Sequence, residues 1–348
     1  MSTRTKRAVT TAAALGLILL ATPGLAEAPS DLQTANEALI TRIVTGQKLS
    51  PAQAEALLAG FAASRRIGQG NPAVTKHPGT PEACVERRAA AGLSAEPNPE
   101  WEAICGAPWM APLYDPQTGE PGGATTCIDQ FEFPGLPCEY PVVWAQANQA
   151  AALCESVGKR LCDAHEWEGS CAGALEPPDY RFDLGAGVDG ATAFRRMRDA
   201  HNAVYNSKKT WAYGPAYQGG VCSTGSAKSP NCDGGSWADC GSNTYPTGWG
   251  PGCVSALGVW DLHGNAAEHM SLPTRPEEMA SKGSKTLGYT EMKGSWFVWD
   301  AVRAHEDACR WRAPYWHGTR VMDPKSHGNY HLSFRCCADV ATEETQPD

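Results

Sequence analysis

Between residues 27 and 75, Ala, Leu and Ile recur among polar residues at helical spacing. Ser50 followed by Pro51 has the chemistry of an N-cap and a first helical position, so this segment predicts a pair of helices. Residues 68–79, rich in Gly, Pro and Gln, read as a linker, and 81–91 as one further short helix. Nothing here carries chemistry, and composition makes it a helical appendage that packs on the rest of the chain or takes a partner. Frequent prolines (Pro108, Pro112, Pro116, Pro121) keep elements short from 101 to 123, after which 127–133 alternates enough to be a strand. Ala145, Ala147, Ala150, Ala151 and Cys154 return to helical spacing until Gly158, and Lys159, Arg160 and Leu161 follow as a short extended piece. Asp163 with Glu166 has the form of a capping box opening a second helix through Trp167 to Cys171. Residues 173–257 are glycine-rich with little periodicity, and so long an irregular stretch is expected to be cross-linked, functional or both.

The stretch GVWDLHGNAAEHM at 258–270 reads as a strand (Val259, Trp260, Leu262) running into a tight turn, because Gly264 and Asn265 tolerate left-handed backbone angles. Asp261 and Glu268 supply carboxylates on either side of that turn, and the carbonyls of Gly264 and Ala266 can be aimed between them, which is how a hard cation such as calcium is held. The same residues equally describe a buried turn whose acids cap backbone amides.

Export and redox state follow from composition. Residues 1–26 have basic Arg4, Lys6 and Arg7, an apolar run and small residues at the end, the three parts of a signal peptide, with cleavage expected after Ala26 or, second, Ala28. The apolar run is too short for a permanent anchor, and no cysteine follows it closely to carry a lipid. Losing the three cations takes the net charge from −9 to −12, so neither nucleic acid nor an anionic membrane is an expected partner. The 14 cysteines are an even number in an exported chain and lack Cys-x-x-Cys spacing, so they read as disulfides and not as zinc ligands. Cys222, Cys232, Cys240 and Cys253 are expected to staple the irregular stretch. There is no internal repeat, phosphate loop or Gly-x-Ser-x-Gly elbow.

Four ordered motifs resemble the formylglycine-generating-enzyme (sulfatase-modifying-factor) family. They are Gly264-Asn265 with Glu268; Ile128-Asp129 with Glu132; the block from Cys154 to Cys171 containing Gly-Lys-Arg-Leu and Glu166-Trp167-Glu168; and Phe334-Arg335-Cys336 with Asp339. The likeness spans roughly residues 105–340 and implies an α+β fold, formylglycine-generating-enzyme-like and related to C-type lectins, with little regular secondary structure. The chain then divides into the signal peptide (1–26), a helical N-terminal region with linker (27–100) and the family domain (101–348). By the same resemblance Cys154 pairs with Cys336 and Cys171 with Cys309, and Cys337 is left for Cys162. Structural calcium falls on Asp261, Gly264, Ala266 and Glu268, and a weaker second metal site falls on Asn202 and Ala203.

The resemblance fails at the point that carries the family's oxidase chemistry. Two copper-binding cysteines are expected soon after the Gly-Ser-Trp strand, where soft thiolates suit copper(I). Here Val298 occupies the first position and Arg303 or Ala304 the second, so copper is not expected. His305, His317, His327 and His331 cluster late in the chain and keep iron or another metal open, although a lone histidine is more often a hydrogen-bonded residue. His77 alone stands in residues 27–100, so a separate histidine-borne iron site lacks its ligands. Two function classes remain: a binding module whose lectin-like cleft, lined by Trp296, Trp299, Arg310, Trp311 and Arg312, holds a peptide, glycan or small molecule, and an oxidoreductase with a different metal.

Overall fold

The computed structural model describes residues 31–229, 231–232, 236–303, 305–313 and 318–340; the signal segment, Ala304 and His317 lie outside these. The paired helices are α1 (Leu32–Gly46) and α2 (Pro51–Ala62), and the following short one is α3 (Pro81–Ala90). Ser50 caps α2 through a full capping box with Gln53, and Thr80 caps α3. Beyond α4 (Pro99–Cys105), β1 (Met110–Leu113) pairs antiparallel with β2 (Thr126–Asp129). The expected strand at 127–133 thus ends at Asp129, and Phe131 and Phe133 enter the core from irregular backbone.

Helices α5 (Ala147–Ser156) and α6 (Ala164–Ala172) flank the two-residue strand β3 (Arg160–Leu161), and the box of Asp163 and Glu166 caps α6. The irregular stretch contains a helix that periodicity did not predict, α7 (Gly190–Tyr205), started by Asp189 and burying Ala193, Phe194, Met197 and His201. Around the Gly264 turn the prediction reverses: the regular strand β4 (Ala267–Leu272) follows the turn, and 259–262 makes one isolated bridge, Val254 to Trp260. The last strands are β5 (Tyr289–Lys293), β6 (Leu332–Phe334) and β7 (Cys336–Asp339).

These make two sheets, ordered β1-β2-β7-β3 and β5-β4-β6, within an α+β fold. One residue, Arg335, separates β6 in the second sheet from β7 in the first. Helices α1 and α2 are not peripheral: Leu39, Ile43, Leu57 and Phe61 share a core with Leu153, Cys154 and Phe334. Burial of each such side chain contributes about 1.5–3 kcal/mol. No helix among the described residues is long and apolar enough to cross a membrane.

All 14 cysteines are bonded. Cys154 joins Cys336, Cys162 joins Cys337 and Cys171 joins Cys309, so α5, α6 and the connection between them are all tied to the C-terminal third. Cys84 to Cys138 ties α3 to the main body, and Cys105 to Cys127 ties α4 to β2. Within the irregular stretch Cys222 joins Cys253 and Cys232 joins Cys240. The Cys154–Cys336 link spans 182 residues. Because Cys162–Cys337 stays in place and leaves this link closing a loop of only about ten residues, replacing both by Ala should lower the urea-unfolding free energy by about 2–3 kcal/mol. A loss under about 1 kcal/mol would mean the link does not constrain the unfolded chain.

Candidate functional site

The Gly264 turn is held from outside by a carboxylate. Gly264 (φ 69°) and Asn265 (φ 55°) both adopt left-handed angles, and a Cβ on Gly264 would sit 2.6 Å from the Ser223 carbonyl oxygen. Glu132, wholly buried, accepts from Asn265 Nδ2 (2.6 Å) and from the Ala266 N–H (2.8 Å). Ser295 Oγ accepts the Gly264 N–H and itself donates to Asp307. On the entering side Asp261 Oδ2 accepts the Gly248 N–H at 2.5 Å, while Oδ1 is buried without a partner among the described residues.

On the leaving side Glu268 meets Arg335 through both oxygens, 3.0 Å from Nε and 2.9 Å from Nη2, and accepts the Trp167 indole N–H at 3.1 Å. Arg335 also donates to the carbonyls of Asp129 and Trp260, so the guanidinium is fully engaged with no surface exposure. Arg88 of α3 stacks over the Trp260 ring, 4.7 Å from its centroid. Burial, and then the neighbouring Asp261 and Glu268, push Glu132 well above the usual carboxylate range. Burial pushes Asp261 up to about 6 against the Gly248 N–H, Arg335 and Arg88, which hold it down.

Calcium takes six to eight oxygens. Of the four residues assigned to it, Asp261 has an oxygen to spare, and Asp261 and Glu268 stand with Glu132 in one buried acidic cluster that a cation would suit. Glu268 would have to share its oxygens with Arg335 and Trp167. The second assigned site has no such latitude. Asn202 uses its amide on the Arg312 backbone in both directions, at 2.9 and 3.0 Å. The nearby Glu168, Asp179 and His201 approach one another, but Lys293 and Arg312 occupy the two carboxylates and His201 is bonded to Asp179 and the Arg310 carbonyl.

Of the five residues expected to line a cleft, Trp296, Trp299 and Trp311 gather around the His305 ring, at centroid distances of 6.4, 5.3 and 5.0 Å, while the two arginines are engaged by carboxylates. Arg312 is 1% exposed and grips Glu168 through Nε (2.9 Å) and Nη2 (3.1 Å), reaching Asp179 as well. Trp299 is buried, and Arg310 pairs with Glu176. Trp296 and Trp311 stay half-buried beside two late histidines, with His305 stacked on Trp311 at 5.0 Å and His331 edge-on to Trp296 at 4.2 Å. Burial lowers His305 and His327, so these imidazoles are neutral near pH 7.

A groove that linear motifs did not reveal runs between the predicted linker and the irregular stretch. It consists of two cavities of about 230 and 280 Å³ that share the wall Gly241, Ser242 and Asn243. Close backbone packing forms that wall: a Cβ on Gly70 would come 2.3 Å from the Ser242 amide nitrogen, and one on Gly241 2.8 Å from the Thr75 backbone. Asn71 donates its N–H to the Cys240 carbonyl and Ser242 donates its own to Thr75 Oγ1. Arg65, Arg66, Trp144, Trp237 and Tyr330 line the first cavity, and Lys76, His77 and Lys228 the second.

No known family profile and no curated protein matches the chain in sequence. Among solved structures, PvdO from Pseudomonas aeruginosa is similar at 15% identity over 66% of this chain and 91% of that one, with a TM-score of 0.27. Treponema denticola variable protein 1 is similar at 12% identity over 69% and 80%, TM-score 0.25, and CarF at 12% over 75% and 84%, TM-score 0.25. At TM-scores this low the question of family is left to the motifs.

Glu291, on β5, gives the buried charges a pH signature. Burial pushes it up to about 7, against Lys293, the Ala313 N–H and Arg312, while Glu168 adds to the rise. A carboxyl raised on folding stabilises the fold while protonated, and that contribution is lost as pH climbs from its ordinary value near 4.5 through about 7. Glu291→Gln keeps an acceptor for Ala313 and carries no charge. Its stability relative to the parent should therefore rise between pH 5 and pH 8 by on the order of 2–3 kcal/mol. Parallel melting-temperature curves for the two proteins would contradict this.

Proposed function

We propose that the chain is an exported binding module on a formylglycine-generating-enzyme-like, C-type-lectin-related scaffold that lacks the copper–cysteine oxidase site. The observation that carries this reading is the pairing of all 14 cysteines, which leaves no thiolate to hold copper(I). Val298 stands where the first copper ligand would be, and Arg303 near the second holds its guanidinium 4.7 Å from the Tyr217 ring centroid. Seven disulfides suit an oxidising compartment, in keeping with export. The four motifs support the scaffold, with residues 27–100 as a helical region docked on a domain running from 101 to 348. A peptide, glycan or small molecule would be its ligand, and function resides in the groove and not in the architecture. The protein, incubated with copper, reductant and a Cys-x-Pro-x-Arg peptide, should yield no aldehyde by mass spectrometry; a formylglycine product lost in Cys309→Ser would overturn the reading.

Structural calcium at the Gly264 turn belongs to the same proposal, supported by the spare Asp261 oxygen and the buried cluster of Asp261, Glu132 and Glu268. At about 100-fold excess over its dissociation constant the ion would add about 2.7 kcal/mol to stability. Calcium should therefore raise the melting temperature of chelator-treated protein, and less so for Asp261→Ala; identical melting with calcium and with chelator would remove calcium from the proposal.

A further inference from the structure

We propose that the first cavity, between residues 65–70 and 240–244, binds a proline-rich peptide that carries an acidic residue beside its prolines. This rests on the binding-module reading and names its ligand class.

The first argument is the polarity of the hydrogen bonds left open. At the wall, Gln69 Oε1 already accepts from Arg42 (3.4 Å) and Asn243 Oδ1 from the Ser229 N–H (2.6 Å). The carbonyls of Gln69, Val143 and Cys240 accept from the Trp237 indole, Gly68 and Asn71. Donors, by contrast, are left over. The Trp144 indole N–H and the guanidinium groups of Arg65 and Arg66 have no hydrogen-bonded partner among the described residues. Ser242 lines the same cavity, is 6% exposed, and its Oγ is unpartnered there too. A fitting ligand therefore accepts hydrogen bonds and donates few. A polyproline chain does so, because proline has no N–H and the extended helix leaves its carbonyls without internal partners. A sugar would bring a proton on every hydroxyl to a wall whose acceptors are taken.

Backbone strain supplies the second argument. Trp144 holds φ 63°, a left-handed angle that a bulky side chain rarely adopts. Its N–H donates to the Asn329 carbonyl at 2.9 Å, and a Cβ on Gly328 would come 3.0 Å from its carbonyl oxygen, so the angle is fixed from outside. Strain held in this way gathers at ligand sites. Here it leaves the indole half-buried at the cavity, edge-on to Tyr330 at 6.0 Å and 5.5 Å from the Arg66 guanidinium. Trp237 adds a third half-buried ring. Flat rings with a free indole donor between them are how aromatic-lined grooves take proline-rich segments. No strand contributes a residue to the wall, so there is no sheet edge for a β-extended peptide to join. Neither arginine has a carboxylate partner, and no Asp or Glu is among the described residues lining the cavity, which asks for an acid on the peptide.

Calorimetric titration of the full chain tests this with four probes: a proline-rich peptide bearing one glutamate, its glutamine counterpart, its counterpart with every proline changed to alanine, and neutral oligogalactose. The first should bind saturably, and the alanine peptide about tenfold more weakly or less. Trp144→Phe, which keeps a ring but removes the N–H, and Ser242→Ala should each weaken binding about tenfold. Ser242→Ala removes an unpartnered hydroxyl, so it should not lower the melting temperature. Replacing Arg65 and Arg66 together by Ala should bring the glutamate and glutamine peptides to the same affinity. Trp249→Phe, whose ring packs against Arg87 away from this cavity, should leave affinity unaltered. Equal affinity for the alanine peptide, tighter binding of oligogalactose, or indifference to both Trp144→Phe and Ser242→Ala would overturn the ligand class while leaving a binding module. Failure of all four probes to bind would overturn the inference, and the aldehyde assay would still judge the wider reading separately.

Discussion

The fold depends on the one residue that belongs to neither sheet. Arg335 stands between β6 and β7, and a strand that leaves one sheet for another in a single step must satisfy its backbone and neighbours on both sides. Its guanidinium does so by taking the Asp129 carbonyl at the end of β2, the Trp260 carbonyl before the Gly264 turn, and both oxygens of Glu268 on β4. A planar fork with five donors reaches all of these at once; an ammonium on a flexible stem could not. Desolvating such a pair is expensive, so its net contribution to stability is small. Removing either partner would strand the other as a buried charge, at about 3–5 kcal/mol. The pair therefore acts as a registry device more than as a source of stability.

The other motif residues are cross-pieces of the same kind. Lys159, from Gly-Lys-Arg-Leu, meets Asp129, from the Ile-Asp motif, at 2.5 Å, and Arg160 binds Glu166 at 2.7 Å. Glu132 holds the Gly264 turn, and Trp167 reaches Glu268 from α6. Glu168 balances Lys293 and Arg312 in the interior; burial alone would raise it, and those cations with His201 outweigh burial and hold it well below the usual range. Polar residues that look functional in a linear reading are thus internal struts. The same account explains why Arg312, expected in a ligand cleft, belongs to the core: Glu168 would otherwise be a buried, unpaired carboxylate.

Features encoded over a few residues were the legible ones. Ser50 with Pro51, the box of Asp163 and Glu166, and the left-handed pair at Gly264 and Asn265 are local chemistry, and each stands where the sequence indicates. Three of the seven cysteine pairs were legible, and only through the family resemblance, because 14 cysteines have no unique pairing from spacing alone. Helix α7 escaped because its buried stripe is narrow, with Phe194, Met197 and His201 separated by Arg195, Arg196 and Arg198, and because one buried position is a histidine. The strand expected before Gly264 failed for a tertiary reason: Val259 and Leu262 are apolar because they are buried, while their backbone neighbours are single bridges and not a sheet partner.

The groove was beyond any motif, because chain segments near residues 66, 76, 144, 228, 242 and 330 meet there. What brings them together is steric. Gly70 and Gly241 let the 68–75 segment lie against 240–243 with no side chain between, and the Cys232–Cys240 and Cys84–Cys138 links hold both sides of that contact. An N-terminal region that reads as an appendage with a linker is therefore half of the groove wall. The helices ahead of it, packed on α5 through Leu57 and Phe61, set where the wall stands. Loss of residues 31–64 would expose the core that these side chains cover and leave Arg65 and Arg66 without the helices that seat them, so the core and the groove wall are coupled through the same short segment.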